Sequence, residues 1–493
     1  MQFRPFARTA LVLLMAAGGA AAQSADPLKA AVEQAVNGNP DVSARFNAYR
    51  AAVDAVGVAR GAYLPRVDLN ASAGQERDRI SGVSRTLSRH QGGLSLSQLL
   101  WDGMGTQNDV ARAGHDQLAR YFELVDVTEQ TAIEAAKAHY DVQRYRRMVA
   151  LAEDNYVQHR YAFLQIQSRY KAGVGRGVDL EQAGARVALA ESNLTTEIAN
   201  LHDVNARYQR LVGVAPAKEL GGISMLREGV PATATEAMNT AVRQSAAISA
   251  SIENLRGARS VAEGRRSVYQ PRVEARVRAE GGRHVDGLQD QTRNSTAEIV
   301  LAWNLYNGGA DQARIRQQTN IVSQAADLRD KTCRDTRQTA AIAFNDTKKL
   351  TEQLAYLDRN TLAIQKARDA YRQQFDIGQR SLLDLLNSEN ELYTARRAYA
   401  NAEYDLGLAY ARTHAAMNQL GTQLGVSRTL TSANEAAGWA QGDDAPTRCP
   451  VVLAEVVATD RSELDARAQR LAAAAPVVAP PPLPAASAPT RKP

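Results

Sequence analysis

The chain contains itself twice, at a constant offset of 205 residues. Leu100-Trp101-Asp102-Gly103 recurs as Leu305-Tyr306-Asn307-Gly308, Gly173 recurs as Gly378, and Asp179 recurs as Asp384. Upstream, Tyr63-Leu64-Pro65-Arg66-Val67 recurs as Tyr269-Gln270-Pro271-Arg272-Val273, one residue out of step. A repeat of this period restricts the architecture to two pseudo-symmetric copies of one arrangement of elements. It accounts for most of the 493 residues.

Within each copy the order of elements is legible. From Asp26 to Gly61 the first copy is Ala-rich, with Val32, Val36, Val42, Phe46 and Val53 near helical spacing and a break at Asn39-Pro40-Asp41. Pro65 then opens an alternation, Val67, Leu69, Ala71 and Ala73 against Arg66, Asp68, Asn70 and Ser72, which predicts a strand. A polar stretch through Arg77, Arg79 and Arg85 reads as a long loop, before a second strand with Leu94, Leu96 and Trp101. The hairpin spans about 65–102. In the second copy it spans about 271–306, with Val273, Ala275, Val277 and Ala279 facing one way and Arg272, Glu274, Arg276, Arg278 and Glu280 the other. Ala297, Ile299, Leu301, Trp303 and Leu305 supply its partner strand. Strands of this length and pattern suit a wall between lipid and water, or a half-buried soluble sheet. Four strands cannot enclose a pore, so in a membrane several chains would have to contribute.

Each hairpin is followed by a proline-free helical stretch, about 106–170 and 311–375. Each would make a rod of roughly 100 Å. The rods end at Gly-containing turns, at Gly173 and Gly378, and a returning helix follows. In the last of these, Leu392, Ala395, Tyr399, Ala402, Leu406, Ala409, Thr413, Ala416 and Leu420 keep a 3-4 step, the seam of a coiled coil.

The ends and the composition narrow the function. Arg4 and Arg8, an apolar run from Ala10 to Ala17, and Ala20-Ala21-Ala22 predict a secretory signal over 1–22 and a mature start at Gln23. The copies then occupy 23–219 and 220–425, and 426–493 forms a C-terminal extension, Ala/Pro-rich from Ala472. The 59 Lys+Arg and 53 Asp+Glu are interleaved, a solvated-helix pattern rather than a nucleic-acid footprint. No CxxC, HExxH or clustered ligand spacing is present, so no cofactor, metal or catalytic site is expected. Cys333 and Cys449 would lie in an oxidising compartment after export, and sequence leaves them either as two thiols or as a disulfide from the tail to a helix.

This order of elements, with Phe375-Asp376-Ile377-Gly378-Gln379-Arg380-Ser381-Leu382-Leu383-Asp384-Leu385-Leu386-Asn387, resembles the TolC-like outer-membrane channel-tunnel family over nearly all of residues 26–425. The resemblance implies a mainly α fold with a small β part. Three chains would share one twelve-stranded outer-membrane barrel above a long periplasmic α-barrel. It implies an outer-membrane lipid environment, a periplasmic adaptor and an inner-membrane transporter of ABC type, with export of large adhesins or toxins by type I secretion. Multidrug efflux is the alternative within the family, and a periplasmic coiled-coil adaptor the alternative outside it. Carried over by position, Arg380 falls on a latch arginine, Asp384 on a first aspartate ring and Asp179 on a partner position in the first copy. Phe375 stands where a latch tyrosine would be, and Asn387 where a second aspartate ring would be.

Overall fold

The computed structural model describes residues 26–80, 82–285, 290–426, 436–452 and 458–474. The expected signal segment 1–22, Gln23 and the Pro480-Pro481-Pro482 run lie outside the described residues. The chain divides into two units, Met1–Val451 and Val452–Pro493. The second holds one described helix, α10 (Arg461–Ala474), with no buried residue.

In the first unit the duplication appears element by element. Helices α1 (Pro27–Gly38) and α2 (Pro40–Gly61) meet at Asn39, whose side chain accepts from the Asp41 amide while Pro40 opens the next helix. Their counterparts are α5 (Ala234–Gln244) and α6 (Ala246–Gly264), capped by the Thr233 and Ser245 hydroxyls. The long helices are α3 (Gly105–Lys171) and α7 (Ala310–Asp376), each 67 residues and 205 positions apart. Returning helices α4 (Gly177–Val212) and α8 (Leu382–Ala416) run back along them. A short α9 (Leu420–Gln423) follows. Among the described residues no helix is long and apolar enough to cross a membrane.

Packing is a set of seams rather than one core. Along α3, small residues Ala132, Ala135 and Ala136 let Leu28, Val32 and Val36 of α1, Val204 and Leu211 of α4, and Leu408 of α8 approach closely. Of the expected α8 seam, Leu392, Ala395, Ala402, Leu406, Ala409, Thr413 and Leu420 are buried. Tyr399 and Ala416 are only partly covered, because the stripe of a straight helix drifts against a strict heptad.

The strands β1 (Arg66–Ile80), β2 (Val83–Trp101), β3 (Arg272–Arg283) and β4 (Gln291–Ala302) form one antiparallel sheet in the order β1-β2-β3-β4. The two copies therefore join through β2 and β3, with Leu96 opposite Val277. Both hairpins differ from the sequence expectation. The stretch from Arg77 to Arg85 is not a long loop: β1 and β2 stay paired as far as Ile80 opposite Val83, since its polar residues still alternate between two faces that can both be solvated. The second hairpin stops earlier than 306, because pairing ends at Ala302 opposite Arg272 and β3 begins only after Pro271. At the strand-to-helix step Asp102 accepts from the Thr106 amide at 2.7 Å, and Asn307 accepts from the Asp311 amide at 3.4 Å.

Residues 436–451, expected to belong with the tail, are fastened to the first unit. Cys333 of α7 and Cys449 form a disulfide. The Trp439 ring lies 4.6 Å from that of Phe122 on α3 and donates its indole N–H to Glu253 of α6 at 2.7 Å. Glu253 also pairs with Arg256 and His115, each at 2.7 Å. Burial pushes this carboxyl up, but the hydrogen bonds from His115, Trp439 and Arg256 outweigh it and leave the group below its usual range. Arg448 binds Asp330 at 2.8 Å and also pairs with Asp327.

Candidate functional site at the helix-turn end

Both turns at the far end of the long helices are built alike. The Val174 amide reaches back to the Arg169 carbonyl at 3.1 Å and Gly173 to Tyr170 at 3.0 Å; Gln379 reaches Gln374 at 2.8 Å and Gly378 reaches Phe375 at 3.0 Å. These are Schellman caps, which need a left-handed residue at the pivot. Gly173 (φ 73°) and Gly378 (φ 77°) supply it without the strain a Cβ would add.

Beyond the cap the copies differ. Ser381 caps α8: its hydroxyl accepts from the Asp384 amide at 3.2 Å and donates to the Asp384 carboxylate at 2.9 Å. Arg176 holds the same position before α4 and makes no side-chain cap. Arg380 stacks on Tyr371, 4.6 Å from the ring centre, donates to Gln374 at 3.1 Å and reaches Asp384 at 3.5 Å. The Ser381 hydroxyl first, and Arg380 after it, hold the exposed Asp384 carboxyl below the usual aspartate range. Asp179 is half-buried and forms no ion pair among the described residues.

Phe375 does not stand among these polar groups. It is buried with Ile166 and Ala183 of the first copy and Leu382 and Leu386 of its own, under the Arg169 guanidinium at 4.9 Å. A phenyl ring suits that apolar seat better than a phenol would, since a buried hydroxyl would need a partner. Asn387 is exposed and accepts from Arg186 of α4 at 2.9 Å. Of these five residues, Arg380 and Asp384 form the one hydrogen-bonded pair among the described residues.

The polar groups that join the copies here are ones sequence reading passed over. Glu389 is buried and accepts from Arg372 at 2.5 Å and Arg368 at 3.4 Å, while Arg372 also reaches Gln158 of α3 at 2.5 Å. Farther along, buried Glu197 of α4 pairs with Arg397 of α8, which lies over the Tyr393 ring. A signal existed: Glu389 interrupts the apolar stripe Leu382, Leu385, Leu386, Leu392, Tyr393 at helical spacing, and a carboxylate there must be paired. Among the described residues no group of three or more His, Cys, Asp or Glu could hold a metal ion.

Long helical hairpins pinned together at their tips, continuous with a sheet that shows apolar side chains on one face, define a channel-tunnel protein of the outer membrane, a transporter and not an enzyme. A family model described as outer membrane efflux protein matches residues 31–214 and again 237–419. The chain belongs to that family. It is 27% identical over 406 residues to outer membrane efflux protein BepC of Brucella suis biovar 1, covering 81% of this chain and 87% of that protein. It is 25% identical over 457 residues to alkaline protease secretion protein AprF of Pseudomonas aeruginosa, covering 87% and 92%. The fold is shared with a crystal structure of a Pseudomonas aeruginosa membrane protein (TM-score 0.72, 18% identity, 79% and 93% covered). It is shared too with the Campylobacter jejuni CmeC outer membrane channel (TM-score 0.72, 14% identity, 82% and 87% covered). TolC-family channels are trimeric and work with periplasmic adaptors and inner-membrane transporters.

Proposed function

We propose that three copies of this chain assemble into one outer-membrane barrel and one periplasmic tunnel that carries substrate from the periplasmic side to the exterior. The observation that carries this reading is the four-stranded sheet with two unpaired edges, β1 and β4, and an apolar face in the open: Leu69 is 77% and Ile299 73% exposed in the single chain. Lipid accepts that face but not free strand edges, so the edges must pair with other copies. Three chains give twelve strands. A coiled-coil adaptor has no use for such strands.

For cargo, the reading is type I secretion of a large adhesin or toxin, with a periplasmic adaptor and an ABC-type inner-membrane transporter as partners. The match to AprF over 92% of its length supports it. The match to BepC favours small-molecule efflux as the second reading. Disrupting the gene and comparing the secreted protein profile with drug susceptibility separates them: loss of a large exported protein supports the first, and drug sensitivity with an unchanged profile supports the second.

Arg380 and Asp384 form the gate in this reading. Three-fold symmetry brings three Asp384 carboxylates around one axis, where repulsion has to be offset by arginine or by cations. Asp179 is the partner position in the first copy, and the domain limits 23–219 and 220–425 are the two halves of the tunnel wall.

A further inference from the structure

The two faces of the sheet carry charge in different ways. On the face where β2 residues are partly shielded, both signs of charge occur and most of them are paired: Arg66 meets Asp68 at 2.8 Å, Arg89 lies 3.6 Å from Glu76, Arg272 and Arg276 share Glu274 at 2.6 and 2.7 Å, and Arg278 pairs with Glu298. The opposite face carries the exposed Val67, Leu69, Leu94, Leu96, Val277, Ile299 and Leu301, and its pleat positions in all four strands include no Asp or Glu. Its ionised residues are all arginines, Arg77, Arg79, Arg283 and Arg293, and all lie toward the hairpin turns. They are exposed, and among the described residues none of them forms an ion pair. Arg77 donates only to the Ser84 hydroxyl, at 3.1 Å. His90 sits directly opposite Arg283 on this face.

Their height is informative. From Val67 to Arg77, and from Val273 to Arg283, the chain advances ten residues. At about 3.3 Å per residue and a strand tilt of about 40°, this is roughly 25 Å of height, the thickness of the apolar band on a membrane barrel. The aromatic residues Tyr63, Trp101, Tyr269 and Trp303 gather at the opposite end of the strands, where one polar–apolar boundary is expected. The arginines therefore fall at the other boundary, facing outward toward lipid headgroups. A collar of one sign, with no ion pair to a carboxylate among the described residues, is complementary to phosphate, and guanidinium binds phosphate with two parallel hydrogen bonds.

We propose that Arg77, Arg79, Arg283 and Arg293 form a docking collar for phosphorylated glycolipid of the outer leaflet. Each arginine binds phosphate from outside the barrel, and the pore plays no part. The inference rests on the barrel reading above, and its test separates the two. Purified protein is placed in nanodiscs of phosphatidylcholine containing bisphosphorylated lipid A or its dephosphorylated form, and the lipid A retained per assembly is counted by native mass spectrometry. The proposal expects retention of the phosphorylated form alone. It expects a loss of at least tenfold when all four arginines are changed to serine, since each basic group at an anionic lipid surface contributes a factor of about five. Arg265→Ser with Arg266→Ser, at the far end of the sheet, should retain lipid A as the wild type does. Equal retention of the two lipids, or undiminished retention by the fourfold variant, overturns the collar while insertion and conductance leave the channel reading standing. Failure of the wild type itself to insert overturns the channel reading instead.

Discussion

Arg186 on the returning helix of the first copy donates to the side-chain oxygen of Asn387 on the returning helix of the second, at 2.9 Å. The position that the family resemblance assigns to a second acidic ring is thus occupied by a neutral amide already bound to a cation. Asn387→Asp alone should therefore raise cation selectivity little, because Arg186 would neutralise the new carboxylate in an exposed pair contributing about 0.2 to 1 kcal/mol. Adding Arg186→Gln should free that charge. Reversal potentials in planar bilayers under a salt gradient read the difference, and an equal shift with and without Arg186 would show that the pair does not form in the assembly.

Arg380→Ser should loosen the closed end. It removes the Tyr371 stacking, the Gln374 bond and the Asp384 contact together, each worth from a few tenths to about 1 kcal/mol at exposed sites. The open fraction should then rise by roughly tenfold, since about 1.4 kcal/mol corresponds to that factor. Asp384→Asn should weaken cation block. Because the Ser381 hydroxyl and Arg380 hold the Asp384 carboxyl below the usual aspartate range, block in the wild type should persist through mildly acidic pH and be lost only once the carboxylates take up protons. Single-channel recording shows both effects, and wild-type conductance in Arg380→Ser would remove it from the gate.

Much of this molecule was legible from its sequence because its elements are long and periodic. The helices predicted over 106–170 and 311–375 each agree with the structure to within one residue at both ends. What sequence could not give is which side chains meet across copies. Periodicity placed Glu389 and Arg372 on helix faces, but that they share a buried bond depends on how α3, α7 and α8 are staggered. Likewise, nothing local in residues 436–451 predicts that Trp439 reaches Phe122 and Glu253. Long-range partners are set by packing, which a short window of sequence does not contain.

Breaking the Cys333–Cys449 bond should lower stability by about 2 to 5 kcal/mol, since it closes a segment of 116 residues. Ending the chain after Val451 should cost almost nothing, whereas ending it at residue 435 removes Trp439, Arg448 and, through Arg329 and Arg256, the contacts of Asp444 as well as the disulfide. Thermal unfolding of the detergent-solubilised protein should place the chain ending at Val451 beside the wild type, the variant lacking the disulfide below it, and the chain ending at 435 lowest. A chain ending at 435 that is as stable as the wild type would mean that the strap contributes nothing.

His139 of α3 is buried, and burial lowers its pKa from 6.5 to about 4. The folded chain then refuses a proton that the unfolded chain accepts between about pH 6.5 and 4, so stability should fall as pH falls through that window. Each such group contributes a slope of up to about 1.4 kcal/mol per pH unit. His139→Gln should flatten the decline in melting temperature between pH 7 and pH 4.5, and an unchanged decline would assign it to other groups, His159 foremost.

In the proposed trimer the unpaired edges of β1 and β4 are closed by neighbouring copies. The most direct test is the mass of the assembly released intact from outer membranes, measured by native mass spectrometry. A mass of three mature chains, with channel conductance from the same preparation, is the predicted result. A monomer or dimer that remains stable in the membrane fraction would contradict it.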